Sequence, residues 1–115
     1  MIDIKRIERA LRRWGPRFEH RIFTSSELDY CRGRLPELAA RFAGKEAVSK
    51  ALGTGLRGIA WRDIEILPDR RGKPEVHLRG RARDRAEALG LKSFAISLSH
   101  TADLAVAFVV ASPAG

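Results

Sequence analysis

The longest helical pattern in the chain is PELAARFAGKEAVSKALG at residues 36–53, and the expected arrangement of the other elements follows from it. A proline suits the first turn of a helix, and a glycine suits the position just after its end. We therefore predict one long helix over residues 37–52. Three alanines share one of its faces, which indicates that another backbone packs closely there: Ala39, Ala43 and Ala47.

Two shorter helices are predicted before this segment. Apolar residues recur every three or four positions until Gly15-Pro16 interrupts the pattern, so we predict a helix from about Asp3 to Trp14. The run Thr24-Ser-Ser-Glu27 is typical of a helix N-terminus, because a hydroxyl can accept hydrogen bonds from backbone N–H groups there. A short helix through Tyr30 is expected to follow.

The second half of the chain shows the alternation of β-strands. We predict strands over residues 59–67 and 75–78, a short helix over 80–89, and a hairpin whose turn is His100–Asp103. In the first strand Ile64 and Ile66 are expected on one face, and Asp63 and Glu65 on the other. The predicted fold class is α+β, with an antiparallel sheet wrapped around the long central helix.

Composition limits what the chain can be. With 115 residues, of which 44% are hydrophobic and 31% charged, it has room for one globular domain over residues 1–115. Its 22 Lys and Arg against 14 Asp and Glu give a net charge of +8, which predicts an anionic partner. The single cysteine excludes an internal disulfide, and no apolar run reaches the ~20 residues that span a bilayer. A cytoplasmic protein with no membrane partner is expected.

Polar residues on the long helix are the first candidates for chemistry. Glu46 and Lys50 share one face, either as a surface ion pair or as a carboxylate for a divalent cation beside an ammonium that neutralises phosphate. Gly53-Thr54-Gly55 ends the helix and also permits close approach of a phosphate, although a P-loop would precede a helix. Further along the chain, Ser97-Leu-Ser-His-Thr101 places a histidine at the tip of a strand.

The first helix offers a second candidate surface. Arg6, Arg9 and Arg13 follow its rhythm one residue out of phase with the apolar positions, so they form an outward-facing row, called the basic stripe below. This stripe is either a solvated helix face or a docking surface for an acidic partner.

In combination, these segments resemble the holo-acyl-carrier-protein synthases, the small trimeric 4′-phosphopantetheinyl transferases. The matching motifs are RFAGKEAVSKALGTG at 41–55, WRDIEI at 61–66, GKP at 72–74 and SLSHT at 97–101, and they cover essentially the whole chain in this order. The resemblance implies the fold of that family and a homotrimer. It also implies an enzyme of fatty acid and lipid metabolism.

The activity that the resemblance implies is transfer of 4′-phosphopantetheine from coenzyme A to a serine of apo-acyl carrier protein, with release of 3′,5′-ADP and a requirement for Mg²⁺. Glu46 is then expected to hold the metal and to help take the serine proton, and Lys50 to add a second positive charge. The residues expected to contact coenzyme A are Arg41, Lys45, Gly53, Thr54, Gly55 and, from the adjacent subunit, His100 and Thr101. The basic stripe is expected to dock the acidic carrier protein.

The family pattern also contains an aspartate that serves as a second metal carboxylate. When Ile4–Ile7 is aligned with the family's Ile-x-Arg-Ile, that aspartate falls immediately before Met1, and Asp3 does not take its place. This departure favours one alternative, a catalytically impaired trimeric scaffold that binds carrier protein. The net charge favours another, a basic nucleic-acid-binding domain, but that alternative does not account for the motifs, and no nucleic-acid partner is expected.

Overall fold

The computed structural model describes residues 1–114, which form helices, strands and one short 3₁₀ helix at Trp61–Asp63. The helices are α1 (Ile4–Trp14), α2 (Pro16–Ile22), α3 (Ser25–Cys31), α4 (Leu35–Ala51) and α5 (Gly80–Ala88). The strands are β1 (Ile2–Asp3), β2 (Ile64–Pro68), β3 (Pro74–Leu78), β4 (Ser93–His100) and β5 (Leu104–Ser112). The predicted α+β class is confirmed. In the described part of the chain, every helix is too short or too polar to cross a bilayer.

The N-terminal helices are bounded by their capping residues. α1 begins at Ile4 because the Asp3 side chain accepts a hydrogen bond from a backbone N–H of the first turn, at 2.9 Å. Its end at Trp14 agrees with the prediction. The pair Gly15-Pro16, however, starts a second helix that the sequence analysis did not predict. The glycine turns the chain with a φ of 55°, and the proline fits the first turn of α2.

α3 and α4 follow their sequence signals. The Thr24 side chain accepts from the Glu27 N–H at 3.2 Å, and the Glu27 carboxylate accepts from the Thr24 N–H at 2.9 Å, so each residue caps the other. α4 carries a proline in its first turn and ends before Gly53, whose φ of 78° lets its N–H donate to the Lys50 carbonyl at 2.9 Å. α4 spans Leu35–Ala51, where the sequence predicted a helix over 37–52.

The strands form two antiparallel sheets where the sequence predicted one. β4 and β5 make the predicted hairpin, and β1 pairs with β5, so that Ile2 lies opposite Ala105 in a sheet of order β1-β5-β4. β2 and β3 pair only with each other within residues 1–114, with Glu65 opposite His77. The core is therefore lined by two separate sheets.

Both faces of β2 are buried near its start. Ile64 and Ile66 lie on one face, and Glu65 on the opposite face is only 3% exposed. Its carboxylate accepts hydrogen bonds from the Thr24 hydroxyl and from Arg79 Nη2, the latter at 2.8 Å. Although desolvation by burial raises the pKa of Glu65, these two hydrogen bonds bring it below its ordinary value.

α4 contacts both sheets. Its Ala39 and Ala43 pack against α1, β1 and β5, whereas Ala47 is only half-buried. At Gly44 a Cβ atom would lie 2.5 Å from Ile66 Cδ1 of β2 and 3.2 Å from Ile96 Cδ1 of β4. Gly44, about 100° around α4 from Ala43, thus lets the side chains of Ile66 and Ile96 lie close to the helix backbone.

Candidate active site

The C-terminal half of α4 presents two charged side chains, one acidic and one basic. Glu46 is half-buried and Lys50 is exposed, and within residues 1–114 neither side chain makes a hydrogen bond or salt bridge. The surface ion pair considered from the sequence therefore does not form. Helix geometry separates the two residues by about 6 Å along the axis and by roughly 40° around it. A carboxylate and an ammonium face one patch of surface without neutralising each other.

The turn Gly53-Thr54-Gly55 continues this patch beyond the end of α4. The φ angles of its glycines are 78° and 57°, and the Gly55 N–H donates back to the Ser49 carbonyl at 3.2 Å. The Thr54 hydroxyl donates to the Gly55 carbonyl at 2.8 Å. No described atom lies within 4 Å of the place where a Cβ of Gly55 would be, so the backbone is open to a ligand there.

The N-terminal half of α4 lines a pocket of about 200 Å³ with a different group of side chains. Arg41, 3% exposed, pairs with Glu37 Oε2 at 3.1 Å and lies 4.6 Å from the centroid of the Tyr30 ring. His100 Nε2 is 3.8 Å from Glu37 Oε1. Arg41 Nε is buried and has no hydrogen-bond partner in the described part of the chain, so it remains an unused donor.

The end of the β2–β3 connection completes the wall of this pocket. Gly72 in the turn and Pro74 at the start of β3 belong to the GKP motif and line the pocket. Thr101 shapes the β4–β5 turn, since its hydroxyl accepts from the N–H groups of the two residues that close the turn, at 3.2 and 3.1 Å. The structure thus brings Arg41 and His100 together. Sequence reasoning missed Glu37 and Tyr30, because an acidic residue in a helix first turn and an isolated tyrosine are ordinary features.

Lys45 lies inside the protein and not at the surface of the site. Its side chain is 0% exposed, and its ammonium is 2.7 Å from Oε1 of the equally buried Glu27. It also donates to the carbonyls of Trp61, at 3.2 Å, and of Ile64. Desolvation lowers the pKa of Lys45, and the Glu27 carboxylate opposes that shift. The prediction that Lys45 contacts a ligand is therefore corrected, because all its N–H bonds are directed at core acceptors.

Glu27 is the partner that sequence reasoning missed. The sequence marks it only as the acidic residue of a helix N-terminal signature. In the structure its second oxygen, Oε2, also accepts from the Ile66 N–H of β2 at 2.8 Å. One carboxylate thus connects α3, α4 and β2 through contacts between residues far apart in the chain, and no local pattern in the sequence announces them.

Metal-ligating side chains are scarce near the patch. Across residues 1–114, no group of three His, Cys, Asp or Glu side chains is placed to hold a metal ion. Glu46 offers one unpaired carboxylate. Mg²⁺ is commonly held by one or two carboxylates together with water and substrate phosphates. The donor set of this patch therefore fits one protein ligand of a magnesium site whose other ligands come from a phosphate-bearing substrate and water.

α1 and α2 carry a basic surface. All three arginines of the basic stripe are exposed, as predicted. Trp14, which is 55% exposed, lies at the end of α1 beside an open groove of about 340 Å³. The other residues lining this groove are Arg17, Phe18 and Arg21. The two additional arginines were not singled out from the sequence because α2 was not predicted.

An uncovered apolar surface lies on β5. Phe108 is 72% exposed and Val110 is 68% exposed, and both alternate with residues such as Ala105 that pack toward α4. Large exposed apolar side chains on one sheet face are typical of an interaction surface.

Comparisons with known proteins agree on one family. A family model described as the 4′-phosphopantetheinyl transferase superfamily matches residues 2–109. The holo-[acyl-carrier-protein] synthase of Herpetosiphon aurantiacus is 49% identical over 117 residues, covering 96% of this chain and 92% of that protein. The crystal structure of the Helicobacter pylori synthase in complex with coenzyme A has a TM-score of 0.88 at 32% identity, covering 96% and 95% of the two chains. The Neisseria meningitidis synthase has a TM-score of 0.89 at 38% identity, covering 96% and 92%.

Proposed function

Because the chain belongs to the 4′-phosphopantetheinyl transferase superfamily, we propose that it transfers the 4′-phosphopantetheine group of coenzyme A to a serine of apo-acyl carrier protein, releasing 3′,5′-ADP. The enzyme is a phosphopantetheinyl transferase of the holo-acyl-carrier-protein synthase type. The observation that carries the proposal is the surface patch at which Glu46 and Lys50 remain unpaired beside the open turn 53–55.

The proposed reaction is a displacement at phosphorus. The serine oxygen of the carrier protein attacks the phosphorus that bears pantetheine, and the bond from that phosphorus to the bridging oxygen of 3′,5′-ADP breaks. The Glu46 carboxylate takes the serine proton through a water molecule. It is available for this role because its side chain has no hydrogen-bond or salt-bridge partner in the described part of the chain. The Lys50 ammonium stabilises the negative charge that develops on the departing 3′,5′-ADP. The glycines of the 53–55 turn leave room for the pyrophosphate.

Mg²⁺ is part of the proposal, with Glu46 as its protein ligand. The ion would supply charge neutralisation at the pyrophosphate.

The proposed coenzyme A site is shared between copies of a homotrimer. Arg41 is separated from Glu46 by roughly 140° around α4, and from Lys50 by about 14 Å along it. In the proposed trimer the ligand contacts the Glu46 patch of one copy and the Arg41 and His100 pocket of its neighbour, whereas the resemblance implied Arg41 on the same copy as the 53–55 turn. The exposed Phe108 and Val110 supply an apolar surface for such an assembly.

The carrier protein is proposed to dock on the basic stripe. Its arginines are exposed and lie in one row, and the groove beside Trp14 adds an apolar contact surface between further arginines. Charges of this kind accelerate encounter with an acidic partner and fix its orientation. The docking surface and the proposed chemistry are therefore carried by different helices, α1 and α4.

The test is mass spectrometry of apo-acyl carrier protein after incubation with coenzyme A, Mg²⁺ and the enzyme. The parent chain is expected to add one phosphopantetheine group to the carrier. Glu46→Ala is expected to lose at least a factor of about 10²–10³ in rate, and Lys50→Ala a smaller factor. Glu87→Ala is the matched control, because Glu87 is an exposed carboxylate on α5.

Two results would contradict the proposal. Transfer by Glu46→Ala within a few-fold of the parent would remove Glu46 from the reaction. If the parent chain bound carrier protein but transferred no phosphopantetheine, it would be the catalytically impaired scaffold. A sedimentation measurement in the same samples tests the trimer, and a monomer that binds coenzyme A tightly would refute the shared site.

A further inference from the structure

Helix α5 reaches the turn at the end of α4 through an arginine that the proposed chemistry does not use. Arg85 Nε donates to the carbonyl of Leu52 at 3.0 Å, across 33 residues of sequence. Leu52 is the C-cap of α4, and its carbonyl belongs to the set that a helix leaves unsatisfied at its end. A cation is also favourable there, because the C-terminal end of the helix dipole is negative.

The same guanidinium covers the first glycine of the turn. A Cβ atom on Gly53 would lie 3.6 Å from Arg85 Nη2, in ordinary van der Waals contact. One helical turn earlier on α5, Arg81 Nη1 lies 3.7 Å from the corresponding position of Gly58. Two arginines of one helix face therefore flank the two ends of the 53–58 loop, and Arg85 holds the end that bears the proposed coenzyme A contacts.

Helix α5 is packed against the core. Ala82 is 0% exposed and Ala86 is 4% exposed, and both pack in the cluster that contains Leu52. Arg85 thus projects from a helix that is fixed to the same core as the end of α4. The hydrogen bond from Arg85 consequently restrains the turn against the core and not against another mobile loop.

We propose that Arg85 is a positioning residue for coenzyme A binding: by holding the Leu52 carbonyl and covering Gly53, it keeps the 53–55 turn in the shape that accepts the phosphates of coenzyme A. This inference rests on the proposed function for the identity of the ligand. It assigns Arg85 no contact with the reacting atoms. Loss of Arg85 weakens coenzyme A binding, while the carrier interaction on α1 and the proton transfer at Glu46 remain.

The experiment compares Arg85→Met with Arg83→Met. Both substitutions remove one positive charge from α5, and Arg83 is exposed with no side-chain hydrogen bond or salt bridge in the described part of the chain. Arg85→Met is expected to raise the KM for coenzyme A about tenfold, as expected for loss of one hydrogen bond from a charged donor. The KM for carrier protein and kcat are expected to stay within twofold. Arg83→Met is expected to change none of these values by more than twofold.

A second measurement does not depend on the enzyme's activity. Hydrogen exchange at the amides of Gly53 and Gly55, which donate to α4 carbonyls, is expected to accelerate in Arg85→Met and not in Arg83→Met. Amides of β4 and β5 report whether the whole protein has been destabilised, and they are expected to keep the parent rates. The hydrogen-exchange measurement tests whether Arg85 restrains the 53–55 turn, even if the chain does not transfer phosphopantetheine. Failure of the proposed function can therefore be distinguished from failure of this inference.

Three results would overturn the inference. Equal losses of coenzyme A affinity in both variants would show that net charge, and not the Leu52 contact, is responsible. A fall in kcat with an unchanged KM for coenzyme A would place Arg85 in the chemistry. Unchanged exchange at both glycine amides would show that Arg85 does not restrain the turn.

Discussion

Removing Lys45 is expected to destabilise the fold, because it would leave Glu27 as an uncompensated buried charge. Both side chains are 0% exposed and lie 2.7 Å apart. Lys45→Met keeps the volume and the apolar stem but removes the ammonium, so the Trp61 and Ile64 carbonyls also lose a donor. Breaking a buried pair in this way costs about 3–5 kcal/mol. A domain of this size has a free energy of unfolding of roughly 5–15 kcal/mol, so a large share of it would be lost.

The assay is urea unfolding of four proteins: the parent, Lys45→Met, Glu27→Gln and the double variant. The two residues are in direct contact, so we expect a coupling free energy of about 1–3 kcal/mol, with the double variant less damaged than the sum of the single variants. Lys50→Met is the matched control on the same helix. Because Lys50 is exposed and unpaired in the described structure, its substitution is expected to change stability by no more than about 0.5 kcal/mol.

The two lysines of α4 should therefore separate stability from activity. Lys45→Met is expected to lower stability, and Lys50→Met to lower transfer at nearly unchanged stability. A cost below about 1 kcal/mol for Lys45→Met, or additive effects of the two single variants, would refute the reasoning. Either result would mean that the ammonium is solvated or that Glu27 has another partner.

Three further outcomes are expected. Charge reversal of the whole basic stripe should raise the KM for carrier protein and flatten its salt dependence while coenzyme A binding hardly changes, and equal losses for both ligands would contradict this. Gly44→Ala should lower the free energy of unfolding by about 1–3 kcal/mol, because the new Cβ would lie 2.5 Å from Ile66 Cδ1; an unchanged urea midpoint would show that Ile66 can move aside. The lowered pKa of Glu65 stabilises the fold at pH values above the ordinary pKa of this carboxyl in the unfolded chain, and this stabilisation is lost as pH falls through the lower folded value. Arg79→Met should therefore have a lower urea midpoint than the parent at neutral pH and a smaller difference in acid, and a difference independent of pH would contradict the assignment.

Local signals in the sequence were sufficient for most of the helices and for the hairpin. The capping box at Thr24 and the glycine after α4 act on neighbouring backbone groups, so their effect can be read from a few residues. The second helix was missed because Gly15-Pro16 was read as a stop, whereas the positive φ of the glycine allows a new helix to begin at the proline. The division into two sheets was also not predicted, because no local pattern indicates whether two pairs of strands form one continuous sheet.

The candidate site was predictable where motifs identify surface residues and not where burial depends on distant partners. The resemblance picked out Glu46 and Lys50, and the structure leaves both available for a ligand. It could not distinguish Lys45 from them, because its burial is decided by where β2 and α3 pack. Arg85 was also unpredictable, because it bonds to the Leu52 carbonyl 33 residues away. An arginine in an exposed helix pattern does not indicate such a contact.

The buried pair of Lys45 and Glu27 also affects where the unpaired Glu46 carboxylate lies. In residues 1–114 the Glu46 side chain makes no hydrogen bond or salt bridge, so the rotation of α4 decides from which face of the helix it projects. Apolar packing of alanines and glycine tolerates some rotation, because dispersion contacts have little directionality. A rotation of α4 by roughly 100° would bring Glu46 to the position of Lys45, where it would meet the Glu27 carboxylate and two backbone carbonyls, all acceptors. The rotated helix would offer these acceptors no hydrogen-bond donor, and the carboxylates of Glu46 and Glu27 would repel each other strongly. The Lys45–Glu27 pair therefore fixes the rotation of α4. Because the buried position carries a lysine, Glu46 stays at the surface.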